Sequence, residues 1–482
     1  MNNAVDSYGI NGDFGTRGTR SEVYMGYAQD EWKIKPNFTA NLGMRYEFYL
    51  PLYEQYKRAR IWSFECNGIC PAGSDLYRPD FNNVVPRVSF AWSPAALNSR
   101  TAIRFGAGVY NQMGQFDDLL GPIESVNVRA TLTGRDVPGL SYPVNRFDQR
   151  ALLTNDTPRA IGRDRRDFTS YHLGAFIDQA LPGNLQAQIG YTGNLGRKLL
   201  ERTYQNVNFI GTNNRPLQEF GIVDQKLSGG ISNFHGLQAS LSRRYSRGVY
   251  FGLQYIWGKA MDDGAVGSNE ASYPQNVACR ACEYSRGAFD VRHNVTVSGV
   301  YDLPFGKGRQ LAREGVASWI FGGWELSSLM NARTGRPIDI TITRTAAVLP
   351  DANNRSRQRP NYVSGANLTP ATGQIADRWI NFDAFSVPPA GTWCNLGRNV
   401  LSGPGLFQLD AALTRRQPVT ERFAVSFRFE MFNVTNRAQY GQPAANISAG
   451  REQFGRITTA LNSGASGTGT SRQMQFMLRL DF

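Results

Sequence analysis

The sequence predicts an all-β fold: an antiparallel transmembrane β-barrel, incomplete at about thirteen strands, with long extracellular loops. Many segments about as long as a membrane-crossing strand, roughly 10 residues, alternate apolar and polar residues. A helix would scatter the apolar residues around its circumference, whereas a strand places them on one face. Short turns also alternate along the chain with long polar connections, as expected when successive strands cross a membrane in opposite directions.

The composition agrees with such strands. Glycine (50 residues) and aromatic residues (12%) are abundant, charged residues make up only 19%, and mean hydropathy is −0.39. Strands with one polar face keep hydropathy low even in a membrane protein, and no apolar run approaches the roughly 18 residues of a membrane-spanning helix. The net charge of +13 comes from Lys and Arg spread along the chain. This predicts charged loops and a hydrated interior, and no nucleic-acid partner.

The last strand shows the pattern most clearly. Alternate residues are apolar: Met474, Phe476, Leu478, Leu480 and Phe482. The residues between them are polar, with Met477 as the exception. A chain that stops on an apolar strand with an aromatic carboxy-terminus resembles bacterial outer-membrane proteins, in which this end is the signal read by the barrel-assembly machinery. The resemblance implies that role for these five side chains.

Thirteen strands are expected along the chain. They are predicted at 22–34, 38–50, 86–93, 101–111, 168–181, 185–196, 233–244, 249–258, 291–302, 319–333, 405–415, 421–433 and 472–482. The first pair turns at Lys35-Pro36-Asn37, and later pairs turn at Pro182-Gly183-Asn184 and Ser246-Arg247-Gly248. Alternation is clear in 38–50, and again in 421–433. Other connections, such as 334–403, are long and polar.

The order of turns and loops predicts an orientation. Short turns are expected in the periplasm and long connections outside the cell. Residues 1–21 are expected to be an irregular N-terminal segment, the remainder of an extracellular loop, and 22–482 the C-terminal part of the barrel. Tryptophans at strand positions or strand ends predict an interfacial girdle: Trp32, Trp92, Trp257, Trp319 and Trp324. The alternative is a soluble β-sandwich or propeller, which does not need so many large apolar residues on one exposed face.

Several stretches resemble one family in order. They are YAQDEW (27–32) with LGMRYE (42–47), FDVRH (289–293) with LPFGKGR (303–309) and GW (323–324), GRN (397–399) with GPG (403–405), and FRFEMFN (427–433) with Asn436 and YGQP (440–443). Together they resemble the C-terminal barrel of TonB-dependent outer-membrane receptors, in particular the Oar-like branch. Tyr440 departs from that pattern, in which Phe is expected.

The resemblance implies a plug domain inside a barrel of about 22 strands. It also implies uptake of a siderophore, glycan or peptide, driven by a TonB-type energy-coupling protein that acts through the plug. The sequence has no plug, no energy-coupling box and about nine strands too few for that barrel. We therefore expect a fragment or truncated gene product, surrounded by outer-membrane lipid and lipopolysaccharide. The alternative is a structural or adhesive surface protein without transport.

Catalytic chemistry has little support in the sequence. No nucleophile elbow, phosphate-binding loop or zinc-protease motif occurs, and the chain has only three His, so no enzyme activity, metal or cofactor is expected. Cys66 with Cys70, and Cys279 with Cys282, fall in predicted extracellular loops, where an oxidising compartment favours local disulfides over a redox or zinc site. Cys394 has no evident partner. The basic segments 163–166 and 355–359, like the pair Asp262-Asp263, are interpreted as solvated, with lipopolysaccharide phosphates or a cation as the respective alternatives.

Overall fold

One large antiparallel sheet dominates the structure, a computed structural model that describes residues 7–11, 18–114, 116–124, 129–133, 158–207, 209, 212, 214–264, 274–349, 358–462 and 467–482. The main strands are β1 (Val23–Lys35), β2 (Phe38–Tyr49), β3 (Val84–Trp92), β4 (Thr101–Gln112), β5 (Phe168–Leu181), β6 (Leu185–Gln205), β7 (Val223–Ser246), β8 (Val249–Asp262), β9 (His293–Asp302), β10 (Trp324–Arg333), β11 (Leu406–Pro418), β12 (Ala424–Phe432) and β13 (Gln473–Asp481). Two short strands also join the sheet: Arg159–Ile161, parallel to β7, and Ser285–Arg286, antiparallel to β8. Among the thirteen main strands, the pairing is sequential, so one path runs from β1 to β13. The predicted all-β fold and strand number are confirmed. Over the described ranges, no ladder joins β1 to β13.

The register separates two faces of the sheet. On β9, Val297 opposes Leu253 and Met330, whereas the next residue, Ser298, lies on the other face opposite Gly252. The apolar face carries rows of rings that cross strands; the ring of Phe90 lies 6.1 Å from that of Phe38 and 5.3 Å from that of Phe105. Such cross-strand aromatic contacts stabilise neighbouring strands and fix their register. The large apolar side chains of the strands therefore lie on one exposed face of the sheet, and they do not form the buried core of a water-soluble protein.

The opposite face is polar and hydrogen-bonded across strands. Arg104 forms an ion pair with Asp178 at 2.7 Å, and Asp178 also accepts a hydrogen bond from Gln188 at 2.7 Å. The separation of the faces has exceptions; for example, Asp30 of β1 opposes Leu42 on the apolar side, where its carboxylate accepts a hydrogen bond from the Trp32 indole. The sheet thus presents one face suited to lipid and one suited to water.

Tight turns close one edge of the sheet. Between β7 and β8, Arg247 and Gly248 both adopt positive φ, 52° and 76°. Two consecutive residues with positive φ form the two-residue hairpin turn that matches the twist of antiparallel strands. Connections on this edge are short, except for residues 303–323 between β9 and β10. Since short turns in such barrels are periplasmic, this is the periplasmic edge.

Strands β6 and β7 are longer than predicted. The ladder was expected to cover 185–196 and 233–244, but it continues to Gln205 and Val223 after an irregularity near Gly196. The extension is packed by loop residues, and Leu200 and Val223 are buried. Strand length predicted from membrane thickness misses this region because tertiary contacts, and not lipid, stabilise it.

The interval predicted as one strand, 319–333, is different. Residues Gly315–Phe321 form a helix, here α2, and the strand begins only at Trp324. Residues 316–321 contain five apolar residues and one serine without alternation, and Gly322 and Gly323 follow them. Continuous apolar residues do not specify a two-faced strand, so this part of the prediction was wrong.

The N-terminal segment is partly regular. Within 1–21, predicted to be irregular, Ser7–Asn11 pairs with Arg129–Thr133, and Thr19–Arg20 pairs with Tyr53–Glu54. Residues 1–6 and 12–17 lie outside the described residues. The division of the chain at residue 22 stays a prediction.

The buried apolar clusters lie in the long loops and not between the strands. One cluster unites 52–77, 113–123 and Ile161; it includes Leu52, Tyr77 and Leu119 of the helix Phe116–Glu124, here α1. A second unites 338–401 with Ile447 and Phe454. The loops are therefore folded against one another at the extracellular edge. In the described part of the chain, no helix is long and apolar enough to cross a membrane.

Candidate functional site

The apolar residues of β13 lie on the lipid-facing side. Phe476 opposes Phe429, with ring centroids 4.7 Å apart, and Leu478 opposes Phe427. Phe482 is 94% exposed and its ring lies 5.5 Å from that of Phe423. Met474 and Leu480 share this face, because they oppose Met431 and Val425. The five side chains form one apolar face. Their role as a signal for the barrel-assembly machinery stays a prediction.

Met477, the exception in the sequence pattern, lies on the water-facing side. It opposes Arg428, whose guanidinium pairs with Glu430 at 2.6 Å. Gln475 donates a hydrogen bond to the same Glu430 at 3.0 Å. The alternation of β13 is thus kept in the backbone, and one apolar side chain is placed among polar ones.

A concavity of about 680 Å³ opens on the polar face of β1–β7. Arg87 lies over the ring of Tyr110, 4.4 Å from its centroid, and that ring contacts His172 edge-on at 4.7 Å. His172 also hydrogen-bonds with Ser170 at 2.9 Å. Gly108 makes room for this stack, because a Cβ there would lie 3.3 Å from both Arg87 and Tyr110. The sequence analysis did not single out this group, since its residues are scattered over three strands.

A buried ion network fixes the loops above this concavity. Arg165 pairs with Asp167 at 3.1 Å, and both side chains are almost wholly buried. Asp80 accepts hydrogen bonds from Arg166 and from the Asp167 backbone, each at 3.1 Å. Burial raises the pKa of the Asp167 carboxyl above its usual value, and the charge of Arg165 opposes that shift. The segment 163–166 was interpreted as solvated. That interpretation was wrong for Arg165, which is buried and stabilises the loop through its ion pair with Asp167.

A second buried pair joins two other loops. Arg359 donates hydrogen bonds to both carboxylate oxygens of Glu283, at 2.8 and 2.7 Å. Burial alone would raise the pKa of Glu283, but the hydrogen bonds and charge of Arg359 lower it below its usual value. Arg398 reinforces the junction, because it donates to the Glu283 carbonyl and to Asp262. Arg359 was interpreted as a solvated cation, and that was wrong; Arg355, in the same segment, lies outside the described residues.

Asp262 and Asp263 also form ion pairs at this junction. Asp262 ends β8 and binds Arg398, while Asp263 is buried and pairs with Arg280 at 3.4 Å. Neither carboxylate is a freely solvated turn residue, so that interpretation was wrong. Among the described residues, no group of three or more His, Cys, Asp or Glu is arranged to hold a metal ion.

Four of the five cysteines are joined in two local disulfides. Cys66 bonds to Cys70, and Cys279 bonds to Cys282, with Cα atoms 5.4 Å apart in each pair. The second disulfide closes the turn Arg280–Glu283, so it fixes the residue that binds Arg359. Cys394 is not in a disulfide, and its thiol lies 3.0 Å from the Gln275 side-chain oxygen.

Comparison with known proteins agrees with this architecture. The model of the family described as an outer membrane beta barrel domain matches residues 1–475. With one lipid-facing and one water-facing side on a continuous antiparallel sheet, the protein is an outer-membrane β-barrel protein. The chain belongs to this outer membrane beta barrel domain family and is located in the outer membrane.

Solved structures resemble the chain at low identity. The FrpB iron transporter from Neisseria meningitidis is 11% identical, with a TM-score of 0.47, and the match covers 96% of this chain and 46% of that one. The copper transporter OprC is 11% identical, with a TM-score of 0.46 over 96% and 50%. The ferripyoverdine receptor of Pseudomonas aeruginosa is 11% identical, with a TM-score of 0.45 over 98% and 40%. The chain spans at most half the length of these proteins. No curated protein matches by sequence.

Proposed function

We propose that this chain is the barrel portion of a TonB-dependent outer-membrane receptor of the Oar-like type, which takes up a ligand across the outer membrane. The observation that carries the proposal is the concave polar face of β1–β7, with folded loops at its extracellular edge. A ligand caught by such loops meets a hydrated surface that leads toward the periplasm. In plugged barrels this surface encloses the plug domain.

The loop junctions support the receptor proposal. A surface that recognises a ligand is best pre-organised, because ordering flexible loops on binding lowers the affinity. The hydrogen bonds of Asp80 with Arg166 and Asp167, and the pair Arg359–Glu283, join loop segments that are distant in sequence. The pairs Arg165–Asp167 and Arg359–Glu283 are both buried, so lipopolysaccharide does not reach them. We infer that ligand recognition uses the outer surface of these loops and that the buried pairs keep that surface in place.

The partners follow from this function. Outer-membrane lipid and lipopolysaccharide surround the apolar face, the barrel-assembly machinery reads β13, and a TonB-type energy-coupling protein acts through a plug. We propose neither an enzyme activity nor a nucleic-acid partner. Uptake measurements identify which class of ligand is transported: a siderophore, a glycan or a peptide.

The experiment uses the gene in its natural context. Strains with and without the gene, each with an intact or deleted TonB system, are given labelled ferric siderophores, oligosaccharides and peptides in turn. The proposal predicts that one labelled class accumulates only when the gene and the TonB system are both present. Uptake of all three classes that is independent of the gene would contradict it.

A second candidate function is a structural or adhesive surface protein. The loop clusters favour it, because a loop domain with its own buried residues can present a stable surface without transport. In that case the gene deletion leaves uptake unchanged and reduces attachment to other cells or to matrix. The same strains therefore distinguish the two functions.

A further inference from the structure

Helix α2 occupies an unusual place in the sheet. It lies in the connection between β9 and β10, on the edge where the other connections are short turns. None of its side chains is buried. Its large apolar side chains are strongly exposed: Val316 by 73%, Trp319 by 65%, Ile320 by 44% and Phe321 by 55%. A cluster of large apolar side chains in water is unfavourable, so this surface requires a covering.

The position of Arg415 shows which way α2 faces. Arg415 of β11 opposes Trp324 of β10 and Phe427 of β12, so it belongs to the lipid-facing side of the sheet. Its guanidinium donates hydrogen bonds to the carbonyls of Trp319 and Ile320 at the end of α2. It also lies 5.9 Å from the Trp319 ring and 5.6 Å from the Trp324 ring. The partners of this cation on the lipid side are thus the helix C-terminal carbonyls, two aromatic faces and the Gln417 side-chain oxygen at 2.7 Å.

The apolar surface of α2 is continuous with the apolar face of the sheet. Trp324 donates a hydrogen bond to the Ile320 carbonyl at 3.0 Å, and its ring meets that of Phe427 edge-on at 5.7 Å. Charged residues, Arg313 and Glu314, precede the helix. Apolar residues with tryptophan on one side and charges at the start are the composition of a segment that lies in a membrane interface.

We propose that α2 lies in the periplasmic leaflet of the outer membrane, with Val316, Trp319, Ile320 and Phe321 among phospholipid acyl chains just below the headgroups. Arg415 is the positioning residue that holds the helix against the barrel rim. The helix fixes the depth of β9–β11 in the bilayer, because raising or lowering the barrel would pull its apolar residues into water.

The test measures the surroundings of α2 directly. An environment-sensitive fluorophore is placed at Val316→Cys or Ile320→Cys in a Cys394→Ser chain, reconstituted in phosphatidylethanolamine–phosphatidylglycerol vesicles with brominated acyl chains. Leu326→Cys on the lipid face of β10 and Glu421→Cys in the exposed 419–423 turn are matched controls. Heat-dependent migration on gels verifies that each variant is folded.

We expect bromolipid to quench both α2 positions as strongly as position 326, and aqueous iodide to quench only position 421. Quenching by iodide instead of bromolipid would overturn the proposal, because α2 would then lie in water. Protection from both quenchers, with cross-linked dimers, would show that a second copy covers α2 and would also overturn it.

The role of Arg415 has its own readout. Arg415→Gln removes the two-pronged contact with the helix carbonyls, so bromolipid quenching at position 316 should fall toward the value at position 421. Quenching at position 326 should stay unchanged in the same variant. Unchanged quenching at position 316 would remove Arg415 from the proposal.

Discussion

Arg359 and Glu283 form a two-pronged ion pair 76 residues apart in sequence, and each side chain is only 3% exposed. The pair joins the turn after β8 to the long connection between β10 and β11. Removing one partner of a buried pair leaves an uncompensated charge, which is strongly destabilising, by about 3–5 kcal/mol. The stability of the extracellular junction therefore depends on both residues.

Replacing Arg359 should loosen the loops and leave the sheet intact. We expect Arg359→Ala to increase the rate of limited proteolysis within 334–403, because Glu283 loses its partner. The matched control is Arg451→Ala, which breaks a pair with Asp383 in which both side chains are more than half exposed. Such surface pairs contribute little to stability, so the control should be cleaved like the parent chain. Equal cleavage of the two variants would contradict the prediction.

The junction should weaken in acid. The folded-state pKa of Glu283 lies below its ordinary value of 4.5, so the charged form is favoured in the folded protein. The stabilisation is complete above the unfolded-state pKa and is lost as the pH falls through the lower folded-state pKa. Proteolysis of 334–403 should thus rise below pH ~4. Glu283→Gln lacks the titrating group and should show a smaller change over the same range.

Reduction of the Cys279–Cys282 disulfide should act on the same junction. A loop this short contributes about 2 kcal/mol through chain entropy, and the bond also shapes the turn that carries Glu283. We expect Cys279→Ser with Cys282→Ser to increase hydrogen exchange at 275–286. The corresponding double variant at Cys66 and Cys70 is the control and should leave 275–286 unchanged.

Opposite faces of β9 should respond differently to a charge. Val297→Arg places a cation in lipid and should lower the free energy of unfolding in vesicles by about 2–4 kcal/mol near the bilayer midplane. Ser298→Arg lies on the polar face and should change it far less. Urea titration of both variants measures the difference, and equal losses would show that the faces are assigned incorrectly.

The carboxy-terminal residue provides a test in cells. Phe482→Asp should block insertion into the outer membrane, because a charged side chain would replace the exposed aromatic ring on the apolar face of the last strand. Phe209→Asp, at an exposed loop phenylalanine, is the control and should insert normally. Membrane fractionation measures both, and normal assembly of Phe482→Asp would falsify the proposed signal.

The strands could be predicted from the sequence because each has one face for lipid and one for water. That requirement repeats every two residues, so 38–50 and 421–433 were located within a few residues of β2 and β12. Helix α2 was missed because its apolar residues are consecutive. The glycines that follow it were the available signal.

The loop contacts could not be predicted in the same way. Arg359 and Glu283 are joined only by the folded loops, and neither residue belongs to a periodic pattern. A basic segment in a polar connection looks the same whether it is solvated or buried. Arg359 was therefore misinterpreted because its partner is 76 residues away in sequence. Arg165 was misinterpreted because the network around its nearby partner Asp167 includes Asp80, 87 residues from Asp167.

The length of β6 determines how far the loops stand from the cell. Its 21 residues, at about 3.3 Å each, make roughly 69 Å of strand. Inclined by about 45°, that strand climbs roughly 49 Å, against about 30 Å of hydrocarbon. The β6–β7 ladder thus extends roughly 19 Å beyond the hydrocarbon and carries the loops that it joins outward from the membrane surface.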